Sequence, residues 1–284
     1  MKIAYQGEPG AFSEAAARRV EPDAQVVPCR SFDEVFDAVQ AGTAAYGVLP
    51  IENSIGGSIH RNYDLLLERN LPIVGEVELP VIHHLLALPG ATLDGLRRVY
   101  SHPQGLAQCE RFLRTLSNVE IVATYDTAGS AKMVADAGLK DAGAIASARA
   151  GEVFGLVSLA ASVQDFDDNI TRFLVVGPAP LPNRVADKTS IVFTLPNEPG
   201  SLFKALSVFA LRGISLTKLE SRPIQGRPWE YLFYVDLAAA RDEVHCTRAL
   251  AHLAEFAPML RTLGTYASWK THEGMQPDPF EVVS

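Results

Sequence analysis

The sequence predicts a mixed α/β fold in two domains: an N-terminal α/β region of two lobes and a C-terminal ferredoxin-like βαββαβ domain. Three observations support this prediction. Short apolar strands alternate with helical stretches in the first half of the chain, a proline-rich segment follows, and a second, different alternation comes after it. With 284 residues, 48% of them hydrophobic, the chain can bury a core in each domain.

In the N-terminal region, strand and helix patterns alternate as in a mostly parallel sheet. The strand and helix pairs are residues 3–5 with 12–20, 45–49 with 59–69, and 99–100 with 104–116. Residues 75–85 and 162–176 are two longer extended passages, which we expect to cross between the lobes. The first lobe is then residues 1–78 plus 165–182, and the second is 79–164. A cleft between lobes is the usual place for a ligand.

The domain boundary is predicted at the polar, proline-containing segment 178–187, so that the first domain is residues 1–182 and the second is 188–267. The second domain has strand 189–195, helix 200–212, strands 214–224 and 229–237, helix 241–255 and strand 259–267. This order is βαββαβ, the ferredoxin-like arrangement. Residues 268–284 are predicted to form a tail.

Composition excludes several function classes. The net charge is −8 with no cluster of lysine or arginine, so we expect no nucleic-acid partner. No stretch reaches the ~20 apolar residues of a membrane span, and the first residues lack the apolar core of a secretory signal, which predicts a cytoplasmic protein without membrane contact. Cys29, Cys109 and Cys246 are odd in number and widely spaced, which favours reduced thiols.

The sequence also predicts chemistry without a metal or cofactor. His83 and His84 are adjacent in a predicted strand, where their side chains face opposite ways, and no other histidine pair has the spacing of metal ligands. The chain has no G-x-G-x-x-G, no P-loop and no G-x-S-x-G motif.

Small polar residues mark four predicted strand-to-helix junctions, at residues 7–13, 52–58, 101–105 and 146–148. Helix N-termini carry partial positive charge and free N–H donors. Several of them converging on one cleft would bind a small carboxylate, although ordinary helix capping is the better explanation of any single junction.

A strand entrance at residues 167–174 adds a hydroxyl, a guanidinium and an aromatic ring, from Thr171, Arg172 and Phe173. Adjacent strand residues point to opposite faces, so Thr171 and Arg172 are expected to have different roles. Arg172 could pair with a ligand carboxylate, or with Asp167 or Asp168 inside the protein.

Six motifs, in this order, resemble those of prephenate dehydratases fused to an ACT domain. They are Gly7–Ser13, Pro50–Ser54, Ser101–Gln104 with Gln108 and Cys109, Asn169–Phe173, Asn197–Leu202 and Glu220–Pro223. The resemblance implies a two-lobed catalytic domain like type II periplasmic binding proteins, followed by a ferredoxin-like βαββαβ ACT domain. It also implies the conversion of prephenate to phenylpyruvate, water and carbon dioxide in phenylalanine biosynthesis, without a cofactor.

By the same resemblance, four residues are expected to be catalytic, with Thr171 serving the departing hydroxyl: Thr171, Asn53, Ser101 and Gln108. Eight are expected to bind or surround the substrate: Ala11, Phe12, Ser13, Glu52, Ser54, Gln104, Arg172 and Phe173. For Glu52 we favour a structural role, because a carboxylate beside a dianionic substrate repels it unless it is paired or protonated.

In the C-terminal domain the resemblance implies an allosteric site for L-phenylalanine. Its residues are Pro199, Gly200, Ser201, Leu202, Glu220, Ser221, Arg222 and Pro223. The turn before the predicted helix offers N–H groups to an amino-acid carboxylate, and Glu220 could meet the ammonium group. ACT domains pair across subunits, so a homodimer or a dimer of dimers is expected.

Two alternatives remain open from the sequence. Arogenate dehydratases act on a substrate with an amino group in place of the side-chain keto oxygen, and the motifs do not separate the two activities. A non-catalytic amino-acid sensor would also combine two lobes around a cleft with an ACT domain, but such a protein need not retain Thr171 and Arg172.

Overall fold

The computed structural model describes residues 1–224 and 226–269. The chain forms two compact units, one from Met1–Leu65 with Val77–Val175 and the other from Leu66–Glu76 with Val176–Ser284. In the part of the chain that the structure describes, no helix is long and apolar enough to span a membrane.

The first lobe is built on a sheet in the order β5-β11-β3-β1-β2, in which β1 is parallel to β2 and to β3. Its elements are β1 (Lys2–Gln6), α1 (Phe12–Val20), β2 (Gln25–Cys29), α2 (Phe32–Gln40), β3 (Tyr46–Asn53), β4 (Gly57–Ser58), α3 (His60–Arg69), β5 (Ile73–Pro80) and β11 (Ile170–Val176). Strand β1 lies between two parallel neighbours, with Ile3 opposite Val26 of β2 and Tyr46 of β3. Ile3, Ala4 and Tyr5 are all buried, as expected for a strand covered by helices on both faces.

The second lobe has a five-stranded sheet in the order β10-β6-β9-β7-β8. Its elements are β6 (His84–Ala87), a 3-10 turn (Leu93–Gly95), β7 (Arg98–Ser101), α4 (Pro103–Ala107), α5 (Glu110–Leu113), β8 (Glu120–Ala123), α6 (Thr127–Asp136), β9 (Ala142–Ala146), α7 (Ala148–Phe154) and β10 (Val157–Ala160). Strand β7 is parallel to β8 and β9, whereas β6 is antiparallel to β9 and β10. The core of this lobe includes Leu85, Val99, Cys109 and Ile145.

The two segments that connect the lobes are bonded to each other. The Val81 N–H donates to the Asn169 carbonyl at 2.7 Å, and the Val163 N–H donates to the His83 carbonyl at 2.9 Å. These two backbone hydrogen bonds hold the two connecting segments side by side.

A second contact between the lobes lies at the loop before α1. The Ser147 hydroxyl at the start of α7 donates to the Gly10 carbonyl at 2.6 Å. Gly10 has a φ of +87°, and a Cβ there would lie 2.6 Å from the Ala150 Cα. Only glycine fits this approach without strain. Nearby, Lys132 of the second lobe pairs with Glu8 of the first at 3.0 Å.

The C-terminal domain has the predicted βαββαβ order and the strand arrangement β13-β14-β12-β15. Its elements are β12 (Lys188–Thr194), α8 (Ser201–Ala210), β13 (Leu216–Ile224), β14 (Arg227–Leu237), α9 (Val244–Ala254) and β15 (Met259–Tyr266). All three strand pairings are antiparallel. Ile191, Phe193, Phe209, Val235 and Leu253 are part of its core.

The structure differs from the sequence prediction at several elements. The helix predicted at 104–116 is two short helices, α4 and α5, with Gln108 at the end of the first. The extended passage 162–176 forms a strand only from Ile170, and helix α2 was not predicted. Most of the predicted tail, from residue 270 onward, and residue 225 of the predicted hairpin turn lie outside the described residues.

Candidate active site

A cleft of about 530 Å³ opens between the two lobes of the larger unit. Residues from both lobes line it, and many belong to the first turns of helices. From the first lobe come Gln6, Phe12, Ser13, Arg30, Ser31, Phe32, Asp33, Pro50, Asn53, Ile59, Thr171 and Phe173; from the crossing and the second lobe come Val81, His83, His102, Gln104, Gly105, Gln108, Tyr125, Asp126 and Thr127.

The starts of α1, α2 and α6 and of the short α4 therefore converge on this cleft. The Ser31 hydroxyl accepts from the Glu34 N–H at 3.2 Å at the start of α2. The Asp126 carboxylate accepts from the Gly129 N–H at 2.9 Å at the start of α6. Helix α1 has no side-chain cap at Ala11. Converging helix N-termini give the cleft a favourable potential for anions without a cluster of cations.

The side chain of Asn53, at the end of β3, is the centre of a buried hydrogen-bond network. Its Oδ1 accepts from the backbone N–H groups of Ile55 at 3.0 Å and Gly56 at 2.7 Å. Its Nδ2 donates to the Asn169 Oδ1 at 2.7 Å and to the Thr171 hydroxyl at 3.0 Å. Asn53 therefore joins β3 to β11, the strand that carries Thr171.

Gln108 extends this network into the second lobe. Its Nε2 donates to the Asn53 Oδ1 at 3.3 Å, and its Oε1 lies 2.9 Å from the His83 Nε2. Gln108 ends α4, so the break between α4 and α5 is where this side chain enters the cleft. Burial lowers the pKa of His83, which keeps the ring neutral near pH 7.

Strand β11 presents Thr171 and Phe173 to the cleft, and Arg172 does not line it. This alternation confirms the prediction that Thr171 and Arg172 face opposite ways. The Arg172 guanidinium pairs instead with Glu52 of β3 at 2.9 Å. Glu52 was not among the partners that the sequence left open for Arg172. The pairing also agrees with a structural role for Glu52.

Of the other residues that the sequence predicted for the site, some line the cleft and others make hydrogen bonds within the surrounding structure. Phe12, Ser13 and Gln104 line the cleft, whereas Ala11, Ser54 and Ser101 do not. The Ser54 hydroxyl donates to the Asp168 carbonyl at 2.6 Å and accepts from the Ile170 N–H at 2.9 Å. Ser101 is fully buried, and its hydroxyl donates to the Ile145 carbonyl at 2.7 Å. The junction at 146–148 holds Gly10 and does not face the cleft.

The charged groups at the cleft already have partners. Arg30 is the one lysine or arginine among the described residues that line it, and it pairs with Glu34 at 2.8 Å. Burial raises the pKa of Asp126, while hydrogen bonds from the backbone of Gly129 and Ala128 oppose that rise. An anionic ligand would therefore meet helix starts and neutral side chains more than free cations.

Comparison with known proteins agrees with this geometry. The prephenate dehydratase family model matches residues 3–180, and the ACT domain model matches residues 189–251. The chain belongs to the prephenate dehydratase family. A relative from Arabidopsis thaliana, arogenate dehydratase/prephenate dehydratase 2, chloroplastic, is 52% identical over 278 residues, which is 94% of this chain and 72% of the relative.

Solved structures of similar proteins support the same assignment. Prephenate dehydratase from Arthrobacter aurescens, in complex with L-Phe, aligns with a TM-score of 0.86 and 33% identity over 98% of this chain and 92% of that one. GqqA, described as a novel type of quorum-quenching acylase, also aligns with a TM-score of 0.86, at 37% identity over 94% of this chain and 98% of its own. As a member of the prephenate dehydratase family, the protein is a lyase of the dehydratase type with a regulatory ACT domain.

Several cleft residues of this prephenate dehydratase homologue were not predicted from its sequence. Ser31 and Asp126 cap helices that start at the cleft, and each has the side chain typical of a helix N-cap, so their signals were present. His83 had no such signal, because its neighbour in the network, Gln108, is 25 positions away in the sequence.

In the ACT domain, the two motifs expected to bind the effector lie on α8 and β13. Gly200 precedes α8 with a φ of +83°, so Ser201 and Leu202 form the first turn of that helix. Glu220, Ser221, Arg222 and Pro223 follow one another along β13. The half-buried Glu220 lies across the strand pair from Tyr234, and its carboxylate is 3.8 Å from the Lys218 ammonium.

Proposed function

We propose that the chain catalyses the decarboxylating dehydration of prephenate to phenylpyruvate. The observation that supports this most directly is the bond from the Asn53 Nδ2 to the Thr171 Oγ1 at 3.0 Å. A hydroxyl that accepts at its oxygen keeps its own proton to donate elsewhere. Thr171 lines the cleft, so that proton is available to a ligand there.

In this reaction the bond between the ring carbon and its carboxylate breaks and carbon dioxide leaves. The electron pair enters the ring, and the carbon–oxygen bond on the opposite ring carbon breaks, which makes the ring aromatic. The departing hydroxide takes the proton of the Thr171 hydroxyl and leaves as water, and solvent then returns a proton to the Thr171 oxygen. We propose that the Thr171 hydroxyl donates its hydrogen bond to this oxygen, a contribution of ~10²–10⁴-fold for a positioned proton donor.

The proposed binding mode uses neutral groups for the two carboxylates of prephenate. Arg172 is paired with Glu52 and does not line the cleft, so we assign it to holding β11 against β3. The helix starts at Ser13 and Ser31 and the amide of Gln104 are then the groups that meet carboxylates. Weak, neutral recognition suits the reacting carboxylate, since it must lose its charge in the transition state.

Arogenate is the second candidate substrate. The Arabidopsis thaliana relative carries both names, arogenate dehydratase and prephenate dehydratase. Two carboxylates line the cleft: Asp126, which caps α6, and Asp33, which pairs with Arg61 at 3.2 Å. An ammonium group near them, which arogenate has and prephenate lacks, would add a favourable interaction. We therefore propose a decarboxylating dehydration with either substrate. The amino group or keto oxygen on the substrate's side chain would determine which one is preferred.

Amide hydrolysis, which the description of GqqA implies for that protein, has less support here. It needs a nucleophile activated by a nearby base. Burial raises the pKa of the Cys109 thiol to about 12. Within the described residues, the bonds made by the Ser101 and Thr171 hydroxyls are to a carbonyl and an amide, not to an imidazole or a carboxylate.

We further propose that L-phenylalanine binds the ACT domain at the turn of residues 199–202 and at Glu220, and reduces the activity. Gly200 and Ser201 present the N-terminus of the ten-residue helix α8, which suits an amino-acid carboxylate. The complex of the Arthrobacter aurescens enzyme with L-Phe supports this choice of effector. Pairing of ACT domains would make the protein a homodimer or a dimer of dimers.

For location we propose a reducing compartment such as the cytoplasm. Cys29, Cys109 and Cys246 are free thiols and all three are buried. The Arabidopsis thaliana relative is named chloroplastic. A reducing stroma would suit the same thiols.

The test is initial-rate kinetics of the purified chain on prephenate and on arogenate, with phenylpyruvate and phenylalanine measured as the respective products. Turnover of prephenate with the higher kcat/KM supports the first proposal, and a higher value for arogenate favours the second. Turnover of neither refutes both. Adding L-phenylalanine, with D-phenylalanine as the control ligand, tests the effector. Equal effects of the two enantiomers would contradict a specific site.

A further inference from the structure

The imidazole of His83 stands at the far end of the network that reaches Thr171. His83 is 1% exposed and lies on the crossing between the lobes. The backbone N–H of His83 donates to the Gln164 Oε1 at 3.0 Å, and the backbone carbonyl of His83 accepts from the Val163 N–H. The Phe12 ring packs against the imidazole edge-on, with ring centroids 5.4 Å apart. The ring is therefore held in place by backbone bonds and by packing.

The direction of the network is fixed at Asn53. Two backbone N–H groups, from Ile55 and Gly56, point at one end of its amide. That end must be the oxygen, because an NH₂ group there would face two donors. The other end is then the NH₂ group, which donates to Thr171.

This direction passes through Gln108 to His83. The Asn53 oxygen can only accept, so the group of Gln108 that faces it at 3.3 Å must be the NH₂. The Gln108 oxygen then faces the His83 Nε2 at 2.9 Å, and Nε2 must carry a proton to donate. The imidazole has one tautomer that satisfies the whole network.

Among the described residues, no group competes for the other ring nitrogen of His83. The His83 Nδ1 is buried and has no hydrogen-bond partner within residues 1–224 and 226–269. The bond made at one ring nitrogen decides which tautomer is present. Burial lowers the pKa of His83, so the ring carries a single proton, which Gln108 draws to Nε2.

We propose that His83 is a positioning residue: its Nε2–H fixes the rotamer of Gln108, whose NH₂ group bonds the Asn53 oxygen, and so keeps the second lobe in place beside the Asn53–Thr171 pair. This inference rests on the proposed function of Thr171. Without the imidazole donor, Gln108 can turn its amide over. Its oxygen would then face the oxygen of Asn53, and the bond between Gln108 of the second lobe and Asn53 of the first would be lost.

The first test needs no substrate. A two-dimensional 15N–1H spectrum of the ring nitrogens in the native protein, with His83 assigned by comparison with His83→Gln, shows which nitrogen carries the proton. Protonation at Nε2 supports the proposal. Protonation at Nδ1 overturns it, whatever the activity of the enzyme.

The second test is kinetic. In His83→Gln the terminal amide can place an N–H near the position of Nε2, whereas the shorter side chain of His83→Asn cannot. We expect His83→Asn to lower kcat by about 5- to 100-fold, as for a buried polar group left unpaired, with KM changed by less than about threefold. His83→Gln should recover most of that loss. The neighbouring His84 bonds to Ser158 and does not line the cleft, so His84→Asn is the matched control with unchanged kcat.

Equal kcat for His83→Asn and the wild type overturns the proposal, and so does an equal loss in His83→Gln and His83→Asn. Thermal melting of each variant shows whether it is folded. If His83→Asn does not fold, the tautomer measured in the wild type decides. Failure of the proposed function can be told apart from failure of this inference. A wild type that turns over neither substrate would refute the function, but the tautomer measurement needs no substrate and would still be valid.

Discussion

Replacing Asn53 by aspartate changes one nitrogen for one oxygen and keeps the shape of the side chain. The oxygen that accepts from Ile55 and Gly56 is retained. The Nδ2 donor is lost, and with it the bonds to the Asn169 Oδ1 at 2.7 Å and to Thr171 at 3.0 Å. The Thr171 hydroxyl is then expected to turn and donate to the new carboxylate, so its proton is no longer available to the substrate.

The loss in kcat should approach the contribution of the proton donor, ~10²–10⁴-fold, with KM changed much less. Asn53→Ala removes the same donor but offers no acceptor, so Thr171 keeps its proton. We therefore expect Asn53→Ala to retain more activity than Asn53→Asp, although it leaves a small cavity. Each lost buried bond is also expected to lower the free energy of unfolding, by about 1–3 kcal/mol.

The assay is steady-state kinetics of both variants on the better substrate, over a range of pH and after thermal melting has shown that they fold. Acidification should partly restore Asn53→Asp, because a protonated carboxyl group can donate to Thr171 again. Higher activity in Asn53→Asp than in Asn53→Ala at neutral pH would refute the assignment of Thr171 as a donor oriented by Asn53.

Three further predictions concern stability and thiol chemistry. Gly10→Ala should lower the melting temperature more than Gly42→Ala, because both glycines have positive φ but only at Gly10 would a Cβ meet a backbone atom, at 2.6 Å; equal shifts would contradict the close approach of the lobes. Lys188 pairs with the Glu76 carboxylate at 2.9 Å, and the Glu76 side chain is 2% exposed. Lys188→Met removes this ion pair, so it should lower the free energy of unfolding in denaturant by about 3–5 kcal/mol. Burial raises the pKa of Cys109 to about 12, so its thiolate fraction in the native protein should stay low up to pH 10, and mass spectrometry after iodoacetamide treatment should find it alkylated only in unfolded protein.

The sequence predicted most of what local patterns control. The strands and helices of the ACT domain lie within a few residues of their predicted positions, for example β12 at Lys188–Thr194 and α8 at Ser201–Ala210. The alternation of Thr171, Arg172 and Phe173 followed from strand geometry alone. These features depend on residues close together in the chain.

Contacts between residues far apart in the sequence were harder to predict. The pairing of Arg172 with Glu52 joins two residues 120 positions apart, whereas the sequence had left a ligand carboxylate, Asp167 and Asp168 as the candidate partners. The predicted helix at 104–116 breaks where Gln108 turns toward Asn53 and His83, because tertiary bonds override local helix preference there. Helix periodicity does not record such bonds.

The most direct test of the account compares Thr171→Ser with Thr171→Val in turnover of prephenate and arogenate. Serine keeps the hydroxyl, whereas valine has nearly the same shape and no hydrogen-bonding group. The account predicts that Thr171→Ser keeps a substantial part of the wild-type kcat and that Thr171→Val loses ~10²-fold or more, with both variants folded. Equal activity in the two variants would contradict the central claim that the hydroxyl of Thr171 serves the departing group.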